Sequence, residues 1–187
     1  VYFACSTNDL SKLQSLIEKG ASVNRVGQEN FTPLMIAIQK NHTDIIECLL
    51  KAKADVNLSN DKDRTSPLML AVQDQRFEIT QTLLKQGAKL EQTDSRNNTA
   101  FLIAAAHSTP EIIHFLLKNG ANLAHENNSG NTALISAVVL KNIDVVKILI
   151  QASLEKGVDL HKKNKDNCNA LDMALFSGNL KCTKLLL

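Results

Sequence analysis

The feature that most limits what this chain can fold into is a pattern that returns roughly every 33 residues. Its clearest copy is the stretch from Asn131 to Ile150, NTALISAVVLKNIDVVKILI. Thr132 is a good N-cap, because its hydroxyl can accept a hydrogen bond from an orphan amide of the first helical turn. Leu134, Ala137 and Val138 follow at helical spacing, Lys141 and Asn142 interrupt the pattern, and Val145, Val146, Ile148, Leu149 and Ile150 form a second apolar stripe. The spacing predicts two short helices back to back. Neither would be stable alone in water, where helices of about 12–15 residues are already marginal. The pair needs neighbours, and the chain supplies them by repeating itself.

Aligned on Thr132, the same order of residues returns four more times. Thr32-Pro33-Leu34 is followed by Ala37, Ile45, Ile46, Leu49 and Leu50. Ser66-Pro67-Leu68 is followed by Ala71, Ile79, Leu83 and Leu84, and Thr99-Ala100-Phe101 by Ala104, Ile112, Ile113, Leu116 and Leu117. Asn169-Ala170-Leu171 is followed by Ala174, Cys182, Leu186 and Leu187. The anchors at 32, 66, 99, 132 and 169 are spaced 34, 33, 33 and 37 residues apart. A sixth copy opens the chain, where Ala4 corresponds to Ala37 and Gly20–Asn24 to Lys53–Asn57.

A period near 33 with a T-P-L-x-x-A start, an I-I/V-x-x-L-L second helix and an L-L-x-x-G-A-x-V-N end resembles the ankyrin repeat. The resemblance covers essentially the whole chain and implies an all-α solenoid of helix–turn–helix units joined by β-hairpin-like loops. The expected organisation is a single domain, 1–187, with repeats near 1–24, 27–57, 61–91, 94–124, 127–161 and 164–187. Solenoids need terminal repeats with polar outer faces. The chain opens inside a helix and ends on Leu185-Leu186-Leu187, so the expectation is a segment of a longer protein or a chain whose terminal residues are missing.

Several local departures from the pattern carry their own expectations. Pro33 should sit at N1 of a first helix and Pro110 in the first turn of a second one, where a missing amide is harmless. His42 stands where the family usually has histidine and should bond a loop. Gly20 fits the left-handed residue that ends a helix. Lys53 replaces the usual glycine there, at about 1 kcal/mol if its backbone is left-handed. Arg64 occupies the family's hairpin glycine position in a turn one residue too long, and that hairpin should be irregular. Repeat five carries four extra residues around Ser153-Leu154-Glu155-Lys156, lengthening the second helix or the loop after it.

Composition narrows the function classes. The formal net charge is +2, with one Tyr and no Trp, so neither a basic stripe nor stacking aromatics suggest nucleic acid. The Lys162-Lys163-Asn164-Lys165 cluster reads as a solvated hairpin. No apolar run approaches the length of about 18 residues that spans a membrane. Cys5, Cys48, Cys168 and Cys182 show no C-x-x-C or metal-site spacing with histidine, and four free thiols fit an intracellular location, cytoplasm or nucleus. The five histidines fall in different repeats, and no H-E-x-x-H, G-x-S-x-G or phosphate-loop motif occurs. No catalytic residue, metal ligand or cofactor is expected.

The resemblance implies a scaffold that binds another protein through its concave face, built from hairpin tips and the exposed side of each first helix. By position the first-helix contacts are Gln39 and Lys40, Gln73 and Asp74, Ala106 and His107, Val139 and Leu140, and Phe176 with Ser177. The tips are Glu29 and Phe31, Asp63 and Thr65, Arg96 and Asn98, Ser129 and Asn131, and Asp166 and Cys168. The first three repeats are polar along this row and the last three apolar. Packing of the apolar residues between repeats is the plain alternative. Other readings are a regulatory or targeting array within a larger enzyme or channel, a secreted bacterial or protist effector, and self-association through the terminal repeats. Asparagine makes up 18 of 187 residues, as an AT-rich coding sequence would give, which keeps the effector in view. The resemblance also implies a modification at Asn57, since asparaginyl hydroxylases of animals favour a leucine eight residues earlier and an acid two residues earlier, here Leu49 and Asp55. An asparagine that bonds its own turn is the simpler account.

Overall fold

The structure is a computed structural model and describes residues 1–27 and 30–187. Glu29, an expected hairpin tip, lies outside the described residues. The chain divides into two compact units, Val1–Ser95 and Arg96–Leu187. Both are built from pairs of short helices, and no strand is found among the described residues.

The first unit contains α1 (Tyr2–Ser6), α2 (Leu10–Glu18), α3 (Pro33–Gln39), α4 (Thr43–Lys51), α5 (Pro67–Gln73) and α6 (Phe77–Lys85). Odd-numbered helices stack in one row, α1 on α3 on α5, and α2 packs on α4 behind them. The second unit repeats the plan with α7 (Ala100–His107), α8 (Pro110–Lys118), α9 (Ala133–Val139), α10 (Ile143–Lys156), α11 (Ala170–Phe176) and α12 (Leu180–Leu186). There α7, α9 and α11 form the front row and α8, α10 and α12 the back row.

The helix starts follow from the anchor residues. The hydroxyls of Thr32, Ser66, Thr99 and Thr132 accept the backbone N–H of Met35, Met69, Leu102 and Ile135, and Asn169 does the same for Asp172. Each anchor is thus the N-cap of a first helix. Pro33, Pro67 and Pro110 all occupy the first turn of a helix, as the missing amide requires. The recurring alanine has a packing cause: Ala4, Ala37, Ala71, Ala104, Ala137 and Ala174 are all fully buried in the stacked front row. A methyl there lets neighbouring helices approach closely. Larger core side chains, Leu34, Met35, Ile45 and Leu49 in the first unit and Phe101, Ile112, Leu116 and Leu149 in the second, fill the space between rows. Each contributes about 1.5–3 kcal/mol on burial.

Left-handed backbone recurs at three positions of the repeat. After second helices it falls on Gly20, Lys53, Gly87, Gly120 and Gly157, so Lys53 does adopt the strained conformation, at φ +62°. After first helices it falls on Asn8, Asn41, Gln75, Lys141 and Gly178. In the hairpins it falls on Asn30, Arg64, Asn97, Gly130 and Asn167. Repeat four departs after its first helix: Ser108 and Thr109 are extended, and at Thr109 the cause is Pro110, which disfavours helical backbone in the residue before it. Helix α7 gains a residue and ends at His107.

The long hairpin is irregular in a definable way. The Arg64 N–H donates to the Asn60 carbonyl, four residues back, whereas Gly130 and Asn167 donate to residues three back, Asn127 and Asn164. The extra residue is absorbed inside that turn. The insertion in repeat five is helical: α10 runs for 14 residues and stops at left-handed Gly157.

Candidate functional site

Apart from α7, the first helices end in the same way, and that ending sets which side chains leave the packed row. Lys40, Asp74, Leu140 and Ser177 are C-caps whose N–H groups still bond back into the helix, and the next residue turns left-handed. The last helical residue and the C-cap therefore project from the end of the stack. Gln39, Lys40, Gln73 and Asp74 in the first unit are exposed, as is His107 in the second, while Ala106 is half-buried. Val139, Leu140 and Phe176 are exposed at 39%, 48% and 78%. These three lie at the ends of α9 and α11, which pack side by side. The neighbouring Leu175 is 57% exposed and widens the apolar area.

The hairpins are held by a set of polar side chains whose role residue type alone does not announce. Asn60 and Asn164 are buried, as is Asp94 at the matching place. The Oδ1 of Asn60 accepts the Thr65 N–H at 2.8 Å. Asn127 accepts from Ser129 and Asn131, both at 3.0 Å, and Asn164 accepts from Asp166 and Cys168, both at 3.0 Å. The amide of Asn127 donates to Asn98 Oδ1, and that of Asn164 to Asn131 Oδ1. One side chain thus closes its own hairpin and ties it to the previous one. A signal for them does exist in the sequence: positions 60, 94, 127 and 164 recur with the period of the anchors. Backbone bonds link the tips too, from Ser95 to Asp63 in the first unit, and from Asn128 to Arg96 and Lys165 to Ser129 in the second.

His42 bonds a helix rather than the expected loop, its Nδ1 lying 2.9 Å from the Cys5 carbonyl within α1. Asn57 does not bond its own turn. Its Oδ1 accepts the Lys89 N–H at 2.7 Å and its Nδ2 donates to the Gly87 carbonyl at 3.1 Å, both in the next repeat. Asn24 has the equivalent role in the preceding repeat, accepting the Asp55 N–H. The lysines at 162, 163 and 165 are exposed, with Lys162 paired to Glu126 at 3.0 Å.

The chemistry of the remaining groups is quiet. All four cysteines are free. Burial pushes the Cys5 thiol up to about 11 and raises those of Cys48 and Cys182, so these groups stay protonated near neutral pH and are weak nucleophiles. Among the described residues no group of three or more metal-ligating side chains comes together, and no helix is long and apolar enough to cross a membrane.

A family model described as ankyrin repeats, in three copies, matches residues 1–94 and 90–163. A stretch of 66 residues, 35% of the chain, is 29% identical to a segment of a palmitoyltransferase, AKR1, from Candida albicans. The match spans only 8% of that protein.

Proposed function

The chain belongs to the ankyrin-repeat family, and from that premise we propose that it is a protein-interaction module that grips a partner by the exposed ends of its first helices, with α9 and α11 carrying the main contact. The family is typically non-catalytic, and its arrays imply protein partners. The observation that supports the finer reading is the exposure of Val139, Leu140 and Phe176 on two helices packed side by side. An apolar patch on a protein surface often marks an interaction site. Phe176 is its natural anchor, since an aromatic ring buries much area with few rotatable bonds. Gln39, Lys40, Gln73, Asp74 and His107 would orient the partner and contribute less.

The test is the double variant Leu140→Asp with Phe176→Ser, measured by affinity capture with mass spectrometry and circular dichroism. Loss of the captured partner with an unchanged melting curve is the expected result. Retained capture by a folded variant would place the contact elsewhere, and an unfolded variant would assign these side chains to the core. Changing Lys40 and Asp74 should weaken capture far less.

The partial match to a much longer palmitoyltransferase supports a second reading, in which such an array regulates or targets a further domain of the same polypeptide. The full-length coding sequence decides between a free-standing scaffold and an array joined to an enzyme, channel or effector domain. Hydroxylation of Asn57 is a separate proposal. It rests on Leu49 and on Asp55, whose carboxylate accepts the Asn57 N–H at 2.8 Å. The hydroxylase would have to draw the Asn57 amide away from Gly87 and Lys89. Mass spectrometry after co-expression with the enzyme should find one added oxygen on Asn57, and an unmodified residue ends the idea.

A further inference from the structure

The inserted residues of repeat five build a groove that the binding reading above does not use. Helix α8 has nine residues and α10 has fourteen, so α10 continues past the end of the helix it packs against. Between them lies a groove of about 600 Å³, within the size range of specific binding sites. Leu117, Ile148 and Ala152 provide its apolar part. Lys118, Lys147 and Lys156 line it as exposed cations, against one lining carboxylate, Glu155. The Glu155 carboxylate is already bonded by the Gln151 amide at 2.7 Å. Lys147 is held only by an exposed pair with Asp144 on its own helix, at 3.2 Å, an arrangement that an incoming acid can replace at little cost. His114 completes the α8 wall.

We propose that this groove is a second docking site, and that its occupant is an acidic amphipathic helix of another protein. A groove walled by two packed helices suits a helix laid along it, with apolar residues at i and i+3 or i+4 reaching Leu117 and Ile148. The three lysines select for glutamate and aspartate on the flanks, and charge complementarity of this kind sets orientation and encounter rate. The site depends on the extra turn of α10, since Lys156 and Glu155 lie within the insertion.

An unbiased test is selection of random 16-residue displayed peptides on the intact 187-residue protein, followed by anisotropy titration of a labelled winner. A class rich in Glu and Asp with Leu or Phe at helical spacing is expected. Its affinity should fall about tenfold in the exposed-residue variant Lys118→Glu with Lys147→Glu, and should weaken with added salt. Leu140→Asp with Phe176→Ser should leave it unchanged, which separates this site from the front-row patch. Neutral or basic winners, a charge-reversal effect under about twofold, an empty selection, or winners sensitive only to the Leu140 and Phe176 changes would each overturn the proposal. Stronger binding to phosphatidylserine vesicles than to any selected peptide, abolished by the same lysine reversals, would overturn it in favour of a membrane surface.

Discussion

Lys53 and Gly87 occupy the same turn in successive repeats of the first unit, which makes them a matched pair for measuring left-handed strain. The Lys53 N–H donates to the Leu50 carbonyl at 3.1 Å and Ala54 to Leu49 at 2.9 Å; Gly87 donates to Leu84 at 3.1 Å and Ala88 to Leu83 at 3.0 Å. The backbones are equivalent, with φ of +62° and +87°. A Cβ placed on Gly87 meets nothing within 4 Å. Any penalty is therefore local, between Cβ and its own backbone, and amounts to about 1–2 kcal/mol for an L-residue. Glycine gives back some of that gain, about 0.5–1 kcal/mol, through the greater freedom of its unfolded chain. The net is about 0.5–1 kcal/mol in favour of glycine at both places. Lys53→Gly should raise the urea midpoint by a few tenths of a molar with the slope unchanged, and Gly87→Lys should lower it by a similar amount. The two changes share no partner, so the double variant should return close to the starting midpoint. A lower midpoint for Lys53→Gly, or shifts of the same sign for both, would refute the idea that backbone strain alone distinguishes these turns.

Other expected outcomes test different regions of the architecture. Ala104→Leu adds bulk at a fully buried place in the α7–α9 stack and should cost about 1–3 kcal/mol by urea titration. Gly130→Ala should cost at least about 2 kcal/mol in the same assay, because its φ is +75° and an added Cβ would stand 3.0 Å from the Lys165 nitrogen. Asn164→Ala leaves the amides of Asp166 and Cys168 without their shared acceptor and should cost about 1–3 kcal/mol. Amide exchange should quicken at those two sites first. Thiol labelling of the native protein at about pH 8 should modify Cys168 before Cys48 and spare Cys5 and Cys182, since burial raises their thiols and keeps them protonated; early reaction at Cys5 would mean that its helix opens readily.

What could be read in the chain was whatever depends on residue type alone. The N-caps at 32, 66, 99, 132 and 169 announce themselves, because a hydroxyl or amide followed by a periodic apolar run has one common use. The left-handed turns were legible where glycine marks them or where the repeat sets Lys53 and Arg64 in a glycine's place. Asn41, Gln75 and Lys141 share the conformation without advertising it, since their strain is offset by the packing of two helices on either side. Asn60, Asn127 and Asn164 were hidden for another reason. Asparagine in a loop is so common that only its recurrence with the period and its bonds to hairpin amides distinguish a structural ladder from a solvated turn. The insertion at Ser153–Lys156 was ambiguous because leucine, glutamate and lysine suit a helix while Gly157 can end either a helix or a loop; packing of Ala152 and Ser153 into the core carries the helix onward.

The front-row patch belongs between these cases, and the turn geometry says why its composition carries information. A first helix must stop where the chain reverses into the second, and the C-cap is held outward by the left-handed residue after it. Nothing in the fold asks for a particular side chain there: the position holds Lys40, Asp74 and Ser177 in other repeats, all exposed. Leu140 at that place is 48% exposed, and Phe176, one residue before its own C-cap, matches Gln39 and Gln73. A cluster of apolar residues where other repeats carry lysine or aspartate is what the proposed function rests on. Core alanines such as Ala104 are the opposite case, because stacking alone dictates them. Under the proposed function, contact with a partner accounts for the first kind of position, and the Leu140 and Phe176 variants probe it without touching the second.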